Sequence, residues 1–260
     1  MLKLFYGLFA IVPALSAPAA ARCPVSDGKT PVVYGIGGST MGSVLGPMLD
    51  AVFGEHDIEF RRWGKASSGL ARPDFHDWPK ETPAVMNKHK PDIVVVSLGT
   101  NDYQPLWEDG DWIRQEDAAW ETKYGERVDA LLAAIAEGNK DRLVIWSGPY
   151  AFEGKNAVVR APIVNRVMKQ RVEAFIAAGG NAIFHDAYVV TADADGKPLQ
   201  KAVLPGKGKT PVEIRGKDGV HLTGEAVRRL LAAPIVEMVL PCFPESEAKE
   251  PNPKKTPKTP

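Results

Sequence analysis

Four short segments of the chain combine residue types that can carry out acyl transfer. In the first, GIGGSTMG at residues 35–42, glycines permit a tight turn, and Ser39 follows them where a helix is expected to begin. This position exposes a hydroxyl, so Ser39 is a candidate nucleophile, and a serine that caps the helix is the alternative. A dinucleotide-binding loop is excluded, because Thr40 stands where G-x-G-x-x-G requires its last glycine.

The second and third segments offer groups that can stabilise a negatively charged oxygen. Gly69, within residues 63–74, can present a bare backbone N–H, and an ordinary turn glycine is the alternative. Asn101, within residues 97–103, can donate its side-chain amide. In the second segment Arg72 is a candidate for binding an anionic substrate, with a solvated surface charge as the alternative.

Further candidate substrate contacts lie in the third segment or shortly after it. They are Asp102, Tyr103 and Trp107. Aromatic rings in this part of the chain can stack on sugars, and packing in the core is the alternative for the tryptophans Trp107, Trp112 and Trp120.

The fourth segment contains Asp218 and His221, three residues apart. An imidazole that removes a proton from a nucleophile needs a hydrogen-bond acceptor on its other nitrogen, and Asp218 can supply it. The sequence therefore predicts His221 as a general base. The competing pair is His185 and Asp186.

Apolar, β-branched runs alternate with helical patterns, which predicts an α/β domain with a parallel sheet. The predicted strands cover residues 32–36, 57–63, 93–98, 143–147 and 181–185. The predicted helices cover residues 44–53, 121–136, 163–178 and 225–239, and residues 190–217 are interpreted as an excursion with a short hairpin. Because ligands bind beyond the carboxyl ends of parallel strands, the segments that follow strands are expected to meet there.

In this order, the four segments resemble the four blocks of the SGNH (GDSL-like) hydrolase family over residues 32–240. The string at residues 67–79 resembles a little-characterised exported bacterial subgroup of that family. The resemblance implies a three-layer, flavodoxin-like α/β fold with a central parallel sheet flanked by helices. One departure is Gly38, which stands where the family's Gly-Asp-Ser has aspartate.

The resemblance also assigns roles to the residues of the four segments. It implies that Ser39, Asp218 and His221 are catalytic, and that Ser39, Gly69 and Asn101 form the oxyanion hole. No cofactor and no metal ion are expected.

The two ends of the chain predict export. Residues 1–21 are typical of a secretory signal peptide, with an uncleaved membrane anchor as the alternative. The exported domain is expected to cover residues 22–243, followed by a disordered tail rich in proline and lysine at residues 244–260. Because thiols pair in an oxidising compartment, Cys23 and Cys242 are expected to form a disulfide, with two free thiols as the alternative.

The composition excludes other classes of protein. The 32 Lys and Arg residues balance 32 Asp and Glu residues, so no basic footprint indicates nucleic-acid binding. Five His and two Cys are too few for a zinc ribbon, and no apolar stretch after the signal peptide is long enough to span a membrane.

The predicted function is that of an exported esterase, periplasmic or secreted, which removes O-acyl groups, expected to be acetyl, from a cell-envelope glycan through an acyl-Ser39 intermediate. The alternatives are an O-acyltransferase with the same triad and a non-catalytic glycan-binding envelope protein. The C-terminal tail offers contacts with other envelope components.

Overall fold

The computed structural model describes residues 21–24, 28–108, 110–154, 156–218 and 221–243. The predicted signal peptide, except for its last residue, and the predicted tail at residues 244–260 lie outside the described residues.

The elements follow one another in an alternating α/β order. The strands are β1 (Val33–Gly37), β2 (Phe60–Gly64), β3 (Ile93–Ser97), β4 (Leu106–Glu108), β5 (Asp111–Ile113), β6 (Leu143–Ser147), β7 (Ala182–His185), β8 (Lys201–Ala202) and β9 (Val212–Glu213). The α-helices are α1 (Leu45–Glu55), α2 (Trp78–His89), α3 (Ala118–Ala136), α4 (Ala157–Ala177), α5 (Gly224–Ala226) and α6 (Ala233–Val239). A π-helical turn, Thr40–Val44, precedes α1, and a second one, Val227–Ala232, joins α5 to α6 into one C-terminal helix over residues 224–239.

Five strands form a parallel sheet in the order β2-β1-β3-β6-β7. This is the flavodoxin-like order, in which the strand sequence reverses beside β1. Gly37 pairs with Gly64 on one side and with Ser97 on the other, so the carboxyl ends of β2, β1 and β3 are level. The predicted three-layer α/β fold is confirmed.

Alternate residues of each central strand enter different cores because successive side chains point to opposite faces of a sheet. On β3, Ile93 and Val95 pack in the core that contains α1 and the C-terminal helix. Val94 and Val96 pack in the core that contains α2, α3 and α4. All four are fully buried, which explains why this strand is a continuous apolar run in the sequence.

Two elements were not predicted from the sequence. Helix α2 buries Trp78, Thr82 and Met86 on one narrow stripe, and its other residues are mainly polar, so its apolar periodicity is weak. The β4–β5 hairpin consists of two strands of three residues each, which is too short for a recognisable alternation.

Helix α4 begins at Ala157, six residues before its predicted start at residue 163. Pro162 lies inside this helix, where a proline normally argues for a helix end or beginning. The β8–β9 pair confirms the short hairpin predicted within residues 190–217.

The ends of the described domain are joined covalently. Cys23 and Cys242 form a disulfide with a Cα–Cα distance of 5.0 Å, as predicted. Among the described residues, no helix has both the length and the apolar character needed to cross a membrane.

Candidate active site

Ser39 lies directly after the turn that ends β1, at the start of the Thr40–Val44 π-helical turn. Its side chain makes no capping hydrogen bond, and its backbone carbonyl accepts a hydrogen bond of 2.9 Å from the Ser43 hydroxyl. The capping role considered for Ser39 is therefore not the one that it has in the structure. The residue is partly exposed, as a nucleophile requires.

The residues on either side of Ser39 contact the end of β3 and the segment that follows it. The Gly38 N–H donates to the Ser97 carbonyl at the end of β3, at 3.1 Å. On the other side, the Thr40 hydroxyl lies 3.4 Å from the Thr100 hydroxyl. Ser39 therefore lies at the sheet edge where the segment of Asn101 begins.

Asn101 connects the first three segments. Its Nδ2 donates to the Ser68 carbonyl at 3.0 Å, which uses one of the two N–H groups of the amide. A Cβ built on Gly38 would lie 3.6 Å from that nitrogen and 3.0 Å from the Ser68 oxygen. The residues next to Ser39 and Gly69 thus meet at the Asn101 amide, as the predicted oxyanion hole requires.

The same contact gives a physical reason for Gly38, where the SGNH family has aspartate. The Ser68 carbonyl oxygen would lie only 3.0 Å from the Cβ of a side chain at this position, which is tighter than most Cβ contacts. A carboxylate there would meet an acceptor that already binds Asn101. The glycine therefore fits the way in which this loop packs.

Asp102 holds the loop of Gly69. A Cβ on Gly69 would lie only 2.0 Å from Asp102 Oδ1, so only a residue without a side chain fits there. The same oxygen accepts the Ala71 N–H at 2.8 Å. The Asp102 side chain is fully buried and its two oxygens accept hydrogen bonds from Ala71 and Tyr124, so the prediction that it contacts substrate is wrong.

Burial raises the pKa of Asp102, because a charged carboxylate loses its hydration. The Ala71 N–H, the Tyr124 hydroxyl, the Leu70 N–H and the Arg127 charge oppose this rise. Tyr124 donates its hydroxyl to Asp102 Oδ2 at 2.8 Å. Burial and the Asp102 charge keep the pKa of Tyr124 well above its usual value, so the phenol retains the proton that it donates.

Arg127 holds the opposite side of the same loop. Its Nη1 donates to the carbonyls of Leu70 and Ala71 at 3.1 and 2.9 Å. Its Nη2 forms an ion pair with Glu108 at 2.6 Å, which ties the loop to β4. Asp102 thus binds the Ala71 N–H of the loop, and Arg127 binds the Leu70 and Ala71 carbonyls.

Sequence reasoning missed Tyr124 and Arg127. Both lie on α3, in a helix whose buried stripe also contains Trp120 and Val128. A tyrosine inside such a stripe needs a hydrogen-bond partner for its hydroxyl, and this need is the signal that could have pointed to Asp102.

The fourth segment forms the predicted Asp–His pair. His221 Nδ1 lies 2.7 Å from Asp218 Oδ2, and the His221 backbone N–H donates to Asp218 Oδ1 at 3.0 Å. Because an ionised carboxylate only accepts hydrogen bonds, Nδ1 carries the proton and Nε2 is left to accept one. Within the described residues, no hydrogen bond joins His221 to Ser39.

Backbone pairing places His221 before the C-terminal helix. Arg215 and Leu222 form a β-bridge, and the Gly216 N–H donates to the His221 carbonyl at 2.7 Å. Three residues after His221, a Cβ built on Gly224 would lie 3.9 Å from the Met48 methyl group of α1. The helix that follows His221 therefore packs on the helix that follows Ser39.

A row of aromatic rings leads from the Asn101 segment towards Asp218. The Tyr103 ring centroid lies 5.6 Å from that of Phe152, which lies 5.9 Å from that of Tyr150. Burial raises the pKa of Tyr150, the Arg215 charge lowers it, and the negative charge of Asp218 raises it further. Asp218 is thus an electrostatic neighbour of this row.

The competing pair does not have the same geometry. His185 is only 5% exposed, its Nδ1 lies 3.2 Å from the Ser147 hydroxyl, and burial lowers its pKa. Asp186 Oδ1 accepts hydrogen bonds from Asn165 Nδ2 and from the Val189 N–H. This pair belongs to the packing around β6 and β7.

A cavity of about 380 Å³ adjoins Asn101. Its lining residues are Ser67, Arg72, Phe75, Asn101, Tyr103 and Gln104. Two predicted substrate contacts, Arg72 and Tyr103, are therefore brought to the site.

The tryptophans lie elsewhere. Trp107 does not line this cavity, and it forms an exposed pair with Trp112 on the β4–β5 hairpin, with ring centroids 5.0 Å apart. Trp120 is fully buried in the core.

Comparison with known families decides which family the chain belongs to. The family described as "Protein of unknown function (DUF459)" matches residues 32–237, which is most of the chain. The chain belongs to the DUF459 family. No curated protein matches this DUF459 member.

Solved structures show which fold this DUF459 protein has. A GDSL-like lipase from Bacteroides thetaiotaomicron is 19% identical with a TM-score of 0.53, and the match covers 86% of this chain and 94% of the lipase. An aryl esterase from M. smegmatis is 13% identical with a TM-score of 0.52, over 82% and 100% of the two chains. A carbohydrate esterase family 3 protein from Talaromyces cellulolyticus is 13% identical with a TM-score of 0.53, over 81% and 99%. The DUF459 domain has the SGNH hydrolase fold that the four segments predicted.

Proposed function

We propose that this DUF459 protein is an exported serine esterase that removes short O-acyl groups, acetyl first among them, from a cell-envelope glycan. The observation that carries the proposal is the 2.7 Å contact between Asp218 Oδ2 and His221 Nδ1. It leaves His221 Nε2 able to act as a base, in a fold that brings the segments of Ser39, Gly69 and Asn101 to one sheet edge.

The proposed reaction proceeds through an acyl-enzyme. His221 Nε2 takes the proton of the Ser39 hydroxyl as Ser39 Oγ attacks the ester carbonyl carbon. The backbone N–H groups of Ser39 and Gly69, together with the second N–H of the Asn101 amide, stabilise the resulting oxyanion. His221 then gives the proton to the leaving alcohol, and a water molecule activated by His221 hydrolyses the acyl-Ser39 ester.

The solved relatives support the ester as the bond that is cleaved. By their names they are a lipase, an aryl esterase and a carbohydrate esterase. The cavity next to Asn101 supports an alcohol portion much larger than the acyl group.

Two features support export. Residues 1–21 have the pattern of a secretory signal peptide. The Cys23–Cys242 disulfide is a bond that persists mainly in oxidising compartments.

The first test of the proposed function uses p-nitrophenyl acetate and longer-chain esters. We expect wild-type protein to release p-nitrophenol fastest from the acetate, and Ser39→Ala, shown to be folded by circular dichroism, to release none above background. A fluorophosphonate probe is expected to label a peptide that contains Ser39. Equal rates for Ser39→Ala and the wild type would overturn the proposal.

A second pair of variants tests the base and its partner. Asp218→Asn is expected to lower kcat by at least tenfold, because the asparagine favours the wrong imidazole tautomer. Asp186→Asn, beside the buried His185, is the matched control and is expected to retain activity. No turnover of any ester by a folded protein whose Ser39 is labelled would indicate a transferase that requires its own donor.

A further inference from the structure

We propose that the cavity beside Asn101 binds an uncharged sugar residue, so that the substrate is an ester of a neutral glycan and not of an acidic one. This inference rests on the proposed function and adds the charge class of the substrate. It is carried by an ion pair at the cavity and by polar groups that lack a protein partner.

The cavity is suited to the alcohol portion of an ester. It shares Asn101 with the proposed oxyanion hole, so a group held in it lies next to the ester carbon. Its volume of about 380 Å³ falls in the range of small-molecule sites and far exceeds what an acetyl group fills.

The cavity offers hydrogen-bonding groups to a ligand with many hydroxyls. Within the described part of the chain, the hydroxyls of Ser67 and Tyr103 and the Oε1 of Gln104 make no hydrogen bond, while Gln104 Nε2 donates to the Asn101 carbonyl. Hydroxyl and amide groups match sugar hydroxyls, which both donate and accept. Ser67 is held at φ +60°, a strained conformation of the kind that persists at ligand sites.

An aromatic ring adds an apolar surface to these groups. The Phe75 side chain lines the cavity and is 50% exposed, so its ring is accessible to a ligand there. Lys65 Nζ lies 5.5 Å from the centroid of this ring. The C–H face of a sugar ring can stack against such a surface.

Arg72 lines the cavity, and its charge is already neutralised. Arg72 Nε and Nη2 contact Asp74 Oδ1 and Oδ2 at 2.8 and 2.6 Å, a bidentate pair. The hydrogen bond from Arg72 lowers the pKa of Asp74, so the aspartate stays charged and bound. Because Asp74 already balances the charge of Arg72, the carboxylate of an acidic sugar gains little attraction there, whereas a neutral hydroxyl can use the remaining guanidinium N–H groups.

Binding experiments on the full-length Ser39→Ala protein test the inference without turnover. We expect calorimetry to detect binding of O-acetylated xylo-oligosaccharides. The Kd is expected to be unchanged between about 0.05 and 0.5 M NaCl, because the ligand carries no net charge. O-acetylated oligogalacturonates are expected to bind at least tenfold more weakly.

Two further variants in the same background test the residues. Phe75→Ala is expected to weaken binding of the xylo-oligosaccharide by about 5- to 10-fold. Asp74→Asn frees Arg72 and is expected to strengthen binding of the oligogalacturonate at least fivefold, in a salt-sensitive way. The matched control is Glu59→Gln, which frees Arg61 from a similar bidentate pair outside the cavity and is expected to change neither affinity.

Each adverse result is informative. Tighter, salt-sensitive binding of oligogalacturonate to the Ser39→Ala protein, no binding of either oligosaccharide, or no gain from Asp74→Asn would each overturn the neutral-sugar assignment. If xylo-oligosaccharides bind as expected but wild-type protein cleaves no ester, the sugar site stands and the proposed esterase function fails.

Discussion

The Asp102 carboxylate lies where a side chain on Gly69 would have to begin, 2.0 Å from the position of its Cβ. The same carboxylate binds the Ala71 N–H, two residues further along the loop. The neighbouring residues Asn101 and Asp102 therefore support the proposed oxyanion hole in two different ways. Asn101 supplies a donor, and Asp102 holds the loop that supplies another.

This relationship predicts the effect of replacing the carboxylate. Asp102→Asn retains the size of the side chain but puts an amide among N–H and O–H donors, so the Gly69 loop shifts. We expect kcat for p-nitrophenyl acetate to fall about 10- to 100-fold, with little change in KM, because an oxyanion donor acts mainly in the transition state.

The matched control is Asp92→Asn, since Asp92 also accepts a backbone N–H, that of Val32, away from the proposed site. It is expected to leave kcat within twofold of the wild type. A similar loss in both variants would mean that Asp102 acts on stability alone.

Gly69→Ala is expected to destabilise the fold by about 1–3 kcal/mol, because the added methyl group overlaps the buried Asp102 carboxylate. Gly54→Ala on α1 is the control: a Cβ there meets no atom within 4 Å. In that helix, alanine is expected to add about 0.5–1 kcal/mol. Urea unfolding of both variants measures these changes, and unaltered stability of Gly69→Ala would show that the loop relaxes.

Introducing the aspartate of the SGNH Gly-Asp-Ser pattern at residue 38 is expected to lower activity. In Gly38→Asp, a carboxylate would be forced against the Ser68 carbonyl, 3.0 Å from the new Cβ, and would compete for Asn101 Nδ2. We expect kcat/KM for p-nitrophenyl acetate to fall at least tenfold. Gly42→Ala, whose Cβ would be 3.7 Å or more from its neighbours, is expected to retain activity. A gain in Gly38→Asp would contradict the packing argument.

The buried His185 predicts how stability depends on pH. Burial lowers its pKa, against smaller opposing effects of the Leu230 backbone and the Asp186 charge, so the folded state binds a proton less readily than the unfolded chain. The contribution of His185 to the free energy of unfolding is complete above the pKa of a histidine in the unfolded chain, about 6.5. It is lost as the pH falls below that value.

We therefore expect the free energy of unfolding to fall between about pH 7 and pH 5, more steeply in wild type than in His185→Asn. Asparagine at this position can still hydrogen-bond the Ser147 hydroxyl. Partial burial also lowers the pKa of His76, so this residue leaves a residual slope in the variant. Urea unfolding at several pH values measures both slopes, and equal slopes would count against a titrating His185.

The sequence predicted those parts of the structure that depend on local patterns. β3 is an unbroken apolar run, and its burial on both faces follows from that. Asp218 and His221 are three residues apart, so their contact is local. Asp102 was misassigned because its partners, Tyr124 among them, are distant in sequence, and an aspartate in a turn looks like a surface residue until the chain is folded.

The ion pair between Arg72 and Asp74 was not predicted, for a different reason. Its partner is only two residues away, yet nothing in the letters distinguishes a paired arginine from one that awaits an anion. Side-chain conformation decides between the two, and conformation depends on the loop that carries both residues.

The disulfide makes the domain a covalent ring. Cys23 and Cys242 close a loop with a sequence separation of 219. The backbone N–H of the neighbouring Arg22 donates to Asn181 Oδ1 at 2.9 Å, and Asn181 Nδ2 donates to the Arg22 carbonyl at 2.8 Å, just before β7 begins. Both ends of the described domain therefore meet at the amino-terminal edge of the sheet, opposite the edge that carries Ser39. A single proteolytic cut in the exposed loop at residues 205–211 would therefore leave two pieces that are still linked by the disulfide. If either end of the domain were attached to a surface, the edge that carries Ser39 would point away from that surface.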